Sequence, residues 1–266
     1  MISFDGLMRE LMASGYTMPK ARTKIAHDIV LMAMARSGFG KNVTVKGGVV
    51  MSDLTDDIRR ATMDMDIDFV RYSLSNEKID AFVQKLNCIE GVAIGRSGPI
   101  AELRQRNYKG KRIFLRLTDG EGVSVRTKVD IGVHVHARIR QQIRNFKVSV
   151  GRRGVKVPAN AGEQVFAEKL KSLLRFGARS ERLKDVFDMC YLVDVVNRRK
   201  LRTCLDALVF SDETMRERTP ADIAARLSRT FGNRRYLAKL ERADVNWLGL
   251  SPQMATERIL AFIRSI

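Results

Sequence analysis

Val43-Thr44-Val45-Lys46-Gly47-Gly48, followed by Thr62-Met63-Asp64-Met65-Asp66-Ile67-Asp68-Phe69, is the stretch from which the fold is read. Residues 43–45 read as a strand that runs into a double-glycine turn. Residues 63–69 read as a second strand, because side chains on a strand alternate between two faces. Met63, Met65, Ile67 and Phe69 then share a face that can be buried, and Asp64, Asp66 and Asp68 share the other. Carboxylates in such a row repel one another unless a cation lies among them. A divalent metal with oxygen ligands relieves the repulsion, and Mg2+ carrying phosphate is the commonest case. The plain alternative is an amphipathic strand with a solvated acidic face. Two features favour the metal. Asp is a poor strand former, so its repetition at alternate positions opposes local propensity. The glycine pair also lets backbone N–H groups approach a phosphate closely.

Composition bounds the partners. A chain of 266 residues has room for one large domain or two modest ones, and 45% hydrophobic content suits a real core. Lys and Arg number 48 against 30 Asp and Glu, a formal net charge of +18. That balance points to a polyanion, nucleic acid first and an anionic membrane surface second. The basic residues are spread along the chain, so they belong to folded surfaces. Cys88, Cys190 and Cys204 are odd in number and lack metal spacing, which fits buried thiols in a reducing compartment. No apolar run approaches the roughly 18 residues of a membrane span. The start, Met1-Ile2-Ser3-Phe4-Asp5, lacks the basic-then-apolar order of a signal peptide. The expectation is a cytoplasmic protein with no membrane partner.

Along the chain, residues 3–14 and 19–37 are expected as helices parted at Gly15. Ile25, Ile29, Val30, Met32 and Met34 form an apolar stripe on the second. A short helix is expected over 48–54, and Asn76 as the N-cap of a helix reaching Leu86. Strands are expected at 92–94, 100–105, 112–117, 123–135 and around 147–150, punctuated by Gly110, Gly120 and Gly122. After Pro158 the pattern is helical: 162–176, 181–196, then weaker helices to the end. The boundary expected is near 158, with an α/β half over 1–158 and a helical half over 159–266.

Three later motifs carry charge at chemical spacing. In Val125-Arg126-Thr127-Lys128-Val129-Asp130-Ile131, the face with Arg126, Lys128 and Asp130 sets a phosphate-binding cation beside a carboxylate. Alternating charge on an exposed strand is also common. With Asp64 and Asp66, Asp130 makes a cluster able to hold metals and draw a proton from an attacking hydroxyl. Glu163-Gln164-Val165-Phe166-Ala167-Glu168-Lys169-Leu170 opens a helix that carries Lys169. Arg182, Asp185 and Asp188 follow at i, i+3, i+6 on one helical face. An intrahelical Arg–Asp pair, worth only a few tenths of a kcal/mol, is the bland reading there.

The order of motifs is Lys46-Gly47-Gly48, Arg60-x-Thr62-x-Asp64-x-Asp66, Lys128-x-Asp130, Ala167-Glu168-Lys169 and Arg182-x-x-Asp185-x-x-Asp188. It resembles the AbiEii/AbiGii toxin family within the polymerase β-like nucleotidyltransferases, from about residue 20 to about 195. The resemblance implies an α+β fold, a nucleotidyltransferase domain with a mixed sheet followed by a helical C-terminal domain that completes the active site. It implies that Gly47 and Gly48 cradle the nucleotide phosphates, with Lys46, Thr62 and Lys128 beside them. Asp64 and Asp66 would hold Mg2+ or Mn2+, and Asp130 would complete the acidic set. Lys169 would contact the triphosphate beside Arg182, and Asp185 and Asp188 would anchor the helical half against the site. Lys169 and Asp188 would count with the acids as catalytic. Asp68 departs from the family pattern. The implied activity is that of a toxin of a toxin–antitoxin or abortive-infection (phage-defence) system. It would move a nucleotide from an NTP to RNA, the tRNA 3′ end first, and be held in check by an antitoxin protein. Transfer to a protein hydroxyl and a nucleic-acid binder without chemistry are the alternatives. His134 and His136 share a face with no third ligand near in sequence, which rarely makes a zinc site. No P-loop pattern is present.

Overall fold

The computed structural model describes residues 2–105, 108–151 and 154–266. The chain forms two units, Met1–Val135 with Gln141–Asn160, and His136–Arg140 with Ala161–Ile266.

The first unit opens with α1 (Phe4–Ala13) and α2 (Met18–Arg36), the latter carrying proline in its first turn, where its fixed φ suits a helix start. The stripe expected on α2 is wider than the sequence pattern suggested. Ile25, Ile29, Val30 and Met34 are buried, and so are Thr23, His27 and Asp28 on other sides. A helix buried all round sits inside a domain, and its polar groups then need partners. His27 Nε2 lies 3.0 Å from Thr127 Oγ1. Asp28 accepts from Lys24 Nζ at 2.5 Å and from the Ser149 N–H and hydroxyl at 2.7 Å each. Burial, helped by the Lys24 charge, pushes the His27 pKa down to about 3. The imidazole is therefore neutral.

Next come β1 (Val43–Lys46), α3 (Gly47–Thr55), β2 (Asp64–Phe69) and α4 (Asn76–Leu86). Then follow β3 (Val92–Arg96), β4 (Ala101–Gln105), β5 (Tyr108–Asp119), β6 (Ser124–Val133), β7 (Gln142–Phe146) and β8 (Val155–Ala159). They make one eight-stranded sheet in the order β3-β5-β6-β2-β1-β8-β7, with β4 also on β5. The sheet is mixed: β2 runs parallel to β6 and β1 to β8, while the other pairs are antiparallel. Met65, Ile67, Ile113, Leu115, Val129 and Ile131 are fully buried on one face, each worth about 1.5–3 kcal/mol of transfer free energy. The alternation read from the sequence thus fixes which face of β2 and β6 stays open.

Three local expectations need correction. Residues 147–150 are not a strand; Lys147 and Ser149 instead bond to Asp53, Asp56 and Asp28. The strands lie on either side of that loop, and Pro158 is inside β8, opposite Ile143. Ser75, not Asn76, caps α4, accepting from the Lys78 N–H.

The second unit is helical: α5 (Gly162–Phe176), α6 (Lys184–Leu192), α7 (Arg198–Leu205), α8 (Pro220–Phe231), α9 (Arg234–Leu240) and α10 (Pro252–Arg264). A π-helical stretch, Asp206–Phe210, follows α7. Asn197, Thr219, Asn233 and Ser251 cap α7 to α10 through side-chain acceptors, and Thr219 with Asp222 forms a capping box. The helix expected over 181–196 is shorter, because α6 ends at Leu192 and Asn197 already opens the next. No helix among the described residues is long and apolar enough to cross a membrane.

Candidate active site

Register brings the charged residues together on the open sheet face. The antiparallel β1–β2 pairing sets Lys46 opposite Asp66, and the parallel β2–β6 pairing sets Asp66 beside Asp130. The β5–β6 hairpin sets Arg112 beside Asp130. One row across four strands therefore reads Lys46, Asp66, Asp130, Arg112. One step along, Asp64 stands beside Lys128, and Lys128 beside Phe114.

The side chains sort themselves by charge. Arg112 donates to both oxygens of Asp130, Nε at 2.7 Å and Nη2 at 2.8 Å. That bidentate geometry is the strong form of an ion pair. The bond to Asp130 pushes the Arg112 pKa further up, with the Asp130, Asp64 and Asp66 charges adding to it. Lys128 Nζ lies 2.9 Å from Asp64 Oδ1. Lys46 Nζ lies 3.1 Å from Asp68 Oδ2. Asp68 is buried, unlike Asp64, so the third aspartate acts as a counter-ion for Lys46.

The glycines are required by close approach. Gly47 has φ +61°, and a Cβ there would stand 2.7 Å from Asp66 Oδ2. A Cβ on Gly48 would stand 2.5 Å from Thr62 Oγ1 and 2.9 Å from Thr62 Cβ. Thr62 is held in place by its own bond to the Asp64 carbonyl, 3.3 Å. Lys46 occupies the N-cap of α3, and no side chain caps that end. The first amides of α3 thus open beside Asp66 with no Cβ in the way, as an anion requires.

The donor set suits a hard divalent ion by its chemistry, but its side chains are not gathered around one point. Asp64, Asp66 and Asp130 offer carboxylate oxygens only, and two of them are register partners on neighbouring strands. Among the described residues no three His, Cys, Asp or Glu side chains are gathered around one point, since Asp64 leans on Lys128 and Asp130 on Arg112. The space that a Cβ would fill at Gly47 lies directly against Asp66.

Within the helical unit a second set forms. Lys169 Nζ lies 2.5 Å from Asp185 Oδ1 and 2.8 Å from Asp188 Oδ2. Arg182 Nε reaches Asp185 Oδ2 at 2.7 Å, and the Trp247 indole N–H donates to Asp188 Oδ1 at 3.1 Å. Lys169 is 4% exposed. Burial pushes the Asp185 pKa up, but Lys169 and Arg182 outweigh it and hold the carboxyl below its usual range. The structure joins Lys169, Arg182, Asp185 and Asp188 within the helical unit, with Lys169 buried in an ion pair.

A family model for the nucleotidyl transferase AbiEii toxin of a type IV toxin–antitoxin system matches residues 29–253. The chain belongs to that family. It is a nucleotidyltransferase, the toxin of a type IV toxin–antitoxin pair, so a nucleotide is its substrate and an antitoxin its partner. A similar solved structure is an antigenic nucleotidyltransferase-like protein from Paracoccidioides brasiliensis, 14% identical, with a TM-score of 0.45 over 82% of this chain and 93% of that one. No curated protein matches the chain. In this toxin the mixed sheet and helical second half agree with the α+β class expected from sequence.

The sequence reading missed Arg112, the partner of Asp130, and the Lys46–Asp68 pair. Both are cross-strand contacts. The glycines at 120 and 122 between two alternating stretches were the signal for the β5–β6 hairpin, and pairing outward from that turn leads to Arg112.

Proposed function

We propose that this toxin transfers a nucleoside monophosphate from an NTP to an RNA acceptor, the tRNA 3′ end first, using Mg2+ or Mn2+ held by Asp64, Asp66 and Asp130. The observation that carries the reading is the register row of Asp66 and Asp130 beside the Gly47–Asp66 approach. The metal would neutralise charge on the triphosphate and lower the pKa of the attacking hydroxyl. The protein's own groups do the rest. The amides at Gly47 and Gly48 hold phosphate oxygens, and Thr62 fixes the turn. Lys128 and Arg112 leave their carboxylates for phosphate as the nucleotide enters, an exchange of one anion for another. Asp130 takes the proton of the acceptor hydroxyl. The hydroxyl oxygen bonds to the α-phosphorus, and the bond to the pyrophosphate oxygen breaks. In the helical unit, Lys169 is buried against Asp185 and Asp188, with Arg182 on Asp185, and this set stiffens that unit. The net charge of +18 favours an RNA acceptor over a protein one. We place this chemistry in the cytoplasm, where NTPs and tRNA are found.

The test is incubation with each labelled NTP, Mg2+ and either total tRNA or total cell protein. Label in tRNA is the expected result. Label confined to the protein fraction would move the acceptor to a protein hydroxyl, and label in neither would sink the reading.

A further inference from the structure

Phe114 is a large apolar side chain in the middle of β5, yet it is 44% exposed. Its strand neighbours Ile113 and Leu115 are fully buried on the other face. A single exposed aromatic is ordinary on a protein surface. The surroundings of this one are not. Arg112 and Arg116 flank it along β5, each about 7 Å away along the strand on the same face. Lys128 stands beside it on β6, and Arg126 stands beside Arg116. On the other side of Arg116 lies Gly95 of β3, where a Cβ would meet nothing within 4 Å. Pro19, Arg22, Thr23, Arg116, Ser124 and Arg126 line a depression at the far end of this strip, where Arg22 donates to the Ser124 carbonyl at 3.0 Å. On the open face of β5 and β6 the carboxylate at the near end is Asp130, in the candidate active site, and beyond it the strip is cationic.

A flat sheet face with an aromatic platform and a rim of guanidinium groups fits single-stranded nucleic acid. Every base has a π-face to stack, and every phosphate a charge to pair. The strip also leads straight from Asp130, where the acceptor hydroxyl has to arrive. We propose that the open face of β5 and β6 is the track of the acceptor strand, with one RNA base stacked on Phe114 and the neighbouring phosphates on Arg116, Arg126 and Arg22. This rests on the RNA-acceptor reading above. An acidic protein segment would meet the same arginines but has no need of the aromatic ring, so the ring is what the test addresses.

The experiment measures binding of a fluorescein-labelled single-stranded RNA of mixed sequence to the full chain by anisotropy, across a salt series. Binding of each NTP with Mg2+ and the melting temperature are measured in parallel. Phe114→Ala and Phe114→Leu should weaken RNA binding about tenfold, while Phe114→Tyr should stay near wild type. Arg116→Ala and Arg126→Ala should each flatten the plot of log affinity against log salt by about 0.7. NTP affinity and melting temperature should not move in any of the five variants. Wild-type RNA binding with Phe114→Ala unaffected, or with Phe114→Leu as strong as Phe114, would overturn the track and leave the RNA acceptor standing. No RNA binding by the wild type would overturn both.

Discussion

On the sheet, Asp64 keeps half of its side chain in solvent, 50% exposed, and leans on Lys128. In the helical unit, Asp188 keeps none, at 0%, and lies against Lys169 and the Trp247 indole. Both are carboxylate–lysine pairs within 3 Å. Their energetics differ because of water. A half-exposed pair is worth roughly 0–1 kcal/mol, so Lys128 and Asp64 can separate at little cost. Removing one partner of a buried pair costs about 3–5 kcal/mol, because the remaining charge stays out of water. The first arrangement suits a site that must exchange its partners in every turnover. The second suits a joint that must not move.

The largest expected effect is on the sheet. Asp66→Ala or Asp64→Ala should lower nucleotide transfer at least about a thousandfold, from the several kcal/mol that charge stabilisation at such a site supplies. The melting temperature should hold or rise, since a like charge is removed from a crowded row. Transfer near the wild-type rate by either variant would remove the row from the chemistry.

Lys169→Ala should show the opposite profile. Unfolding should become easier by about 3–5 kcal/mol, against less than about 1 kcal/mol for Lys171→Ala, whose partner Asp212 is nearer the surface. Trp247 is the chain's one tryptophan and touches Asp188, so its fluorescence reports this unit during denaturant unfolding. NTP affinity measured well below the unfolding transition, where both variants are folded, separates a triphosphate contact from a joint: a contact predicts a deeper loss for Lys169→Ala than for Lys171→Ala. Equal losses would mean general charge alone.

The glycine turn gives a smaller effect. Gly48→Ala should cost about 1–3 kcal/mol, because Thr62 has to give way. Gly98 makes a useful control. Its φ is +88° but a Cβ there meets nothing within 4 Å, so Gly98→Ala carries backbone strain without a clash. Thermal melts of the two variants, with transfer assays alongside, should show lost transfer only for Gly48→Ala.

What the sequence revealed and what it hid follows the range of each interaction. The faces of β2 and β6 were legible because alternation is local: Asp64, Asp66 and Asp130 needed only a period of two. The i, i+3 spacing likewise gave the Asp185–Asp188 face of α6, whereas Arg182, expected on the same helical face, precedes the helix and reaches Asp185 from there. β7 was not legible, since Gln142, Arg144 and Asn145 are polar and Ile143 is exposed, as befits an edge strand. β8 was hidden by Pro158, which reads as a breaker although a proline is tolerated where ladder bonds are few, and β8 meets β1 at Val45 and Ala159 alone. Arg112–Asp130 depends on register between strands. The burial of Lys169 depends on how helices pack. Neither leaves a mark in a window of ten residues.

The smallest effect concerns pH, and it separates the two units by window. His27 is neutral when folded, with its pKa pushed down to about 3 by burial and by Lys24. Unfolded, it titrates near 6.5. Its folded pKa is the lower one, so its contribution is intact above about 6.5 and is lost as pH falls toward 3, by up to about 1.4 kcal/mol per pH unit. Asp28 beside it works in the opposite direction, because burial raises its pKa despite Lys24 and Ser149. The total slope therefore mixes two signs, and the readout has to be a difference. Calorimetric melts of wild type and His27→Gln should differ most near neutral pH, and the gap should shrink steadily between pH 6.5 and 4.5. Asp185 does not enter that window. Its folded pKa is depressed, so its contribution persists above the ordinary carboxylate range and fails only as pH falls below about 3.8. Trp247 fluorescence should accordingly stay native while the His27 difference closes. Parallel melting curves for wild type and His27→Gln across that range would mean that the imidazole is solvated in the folded state.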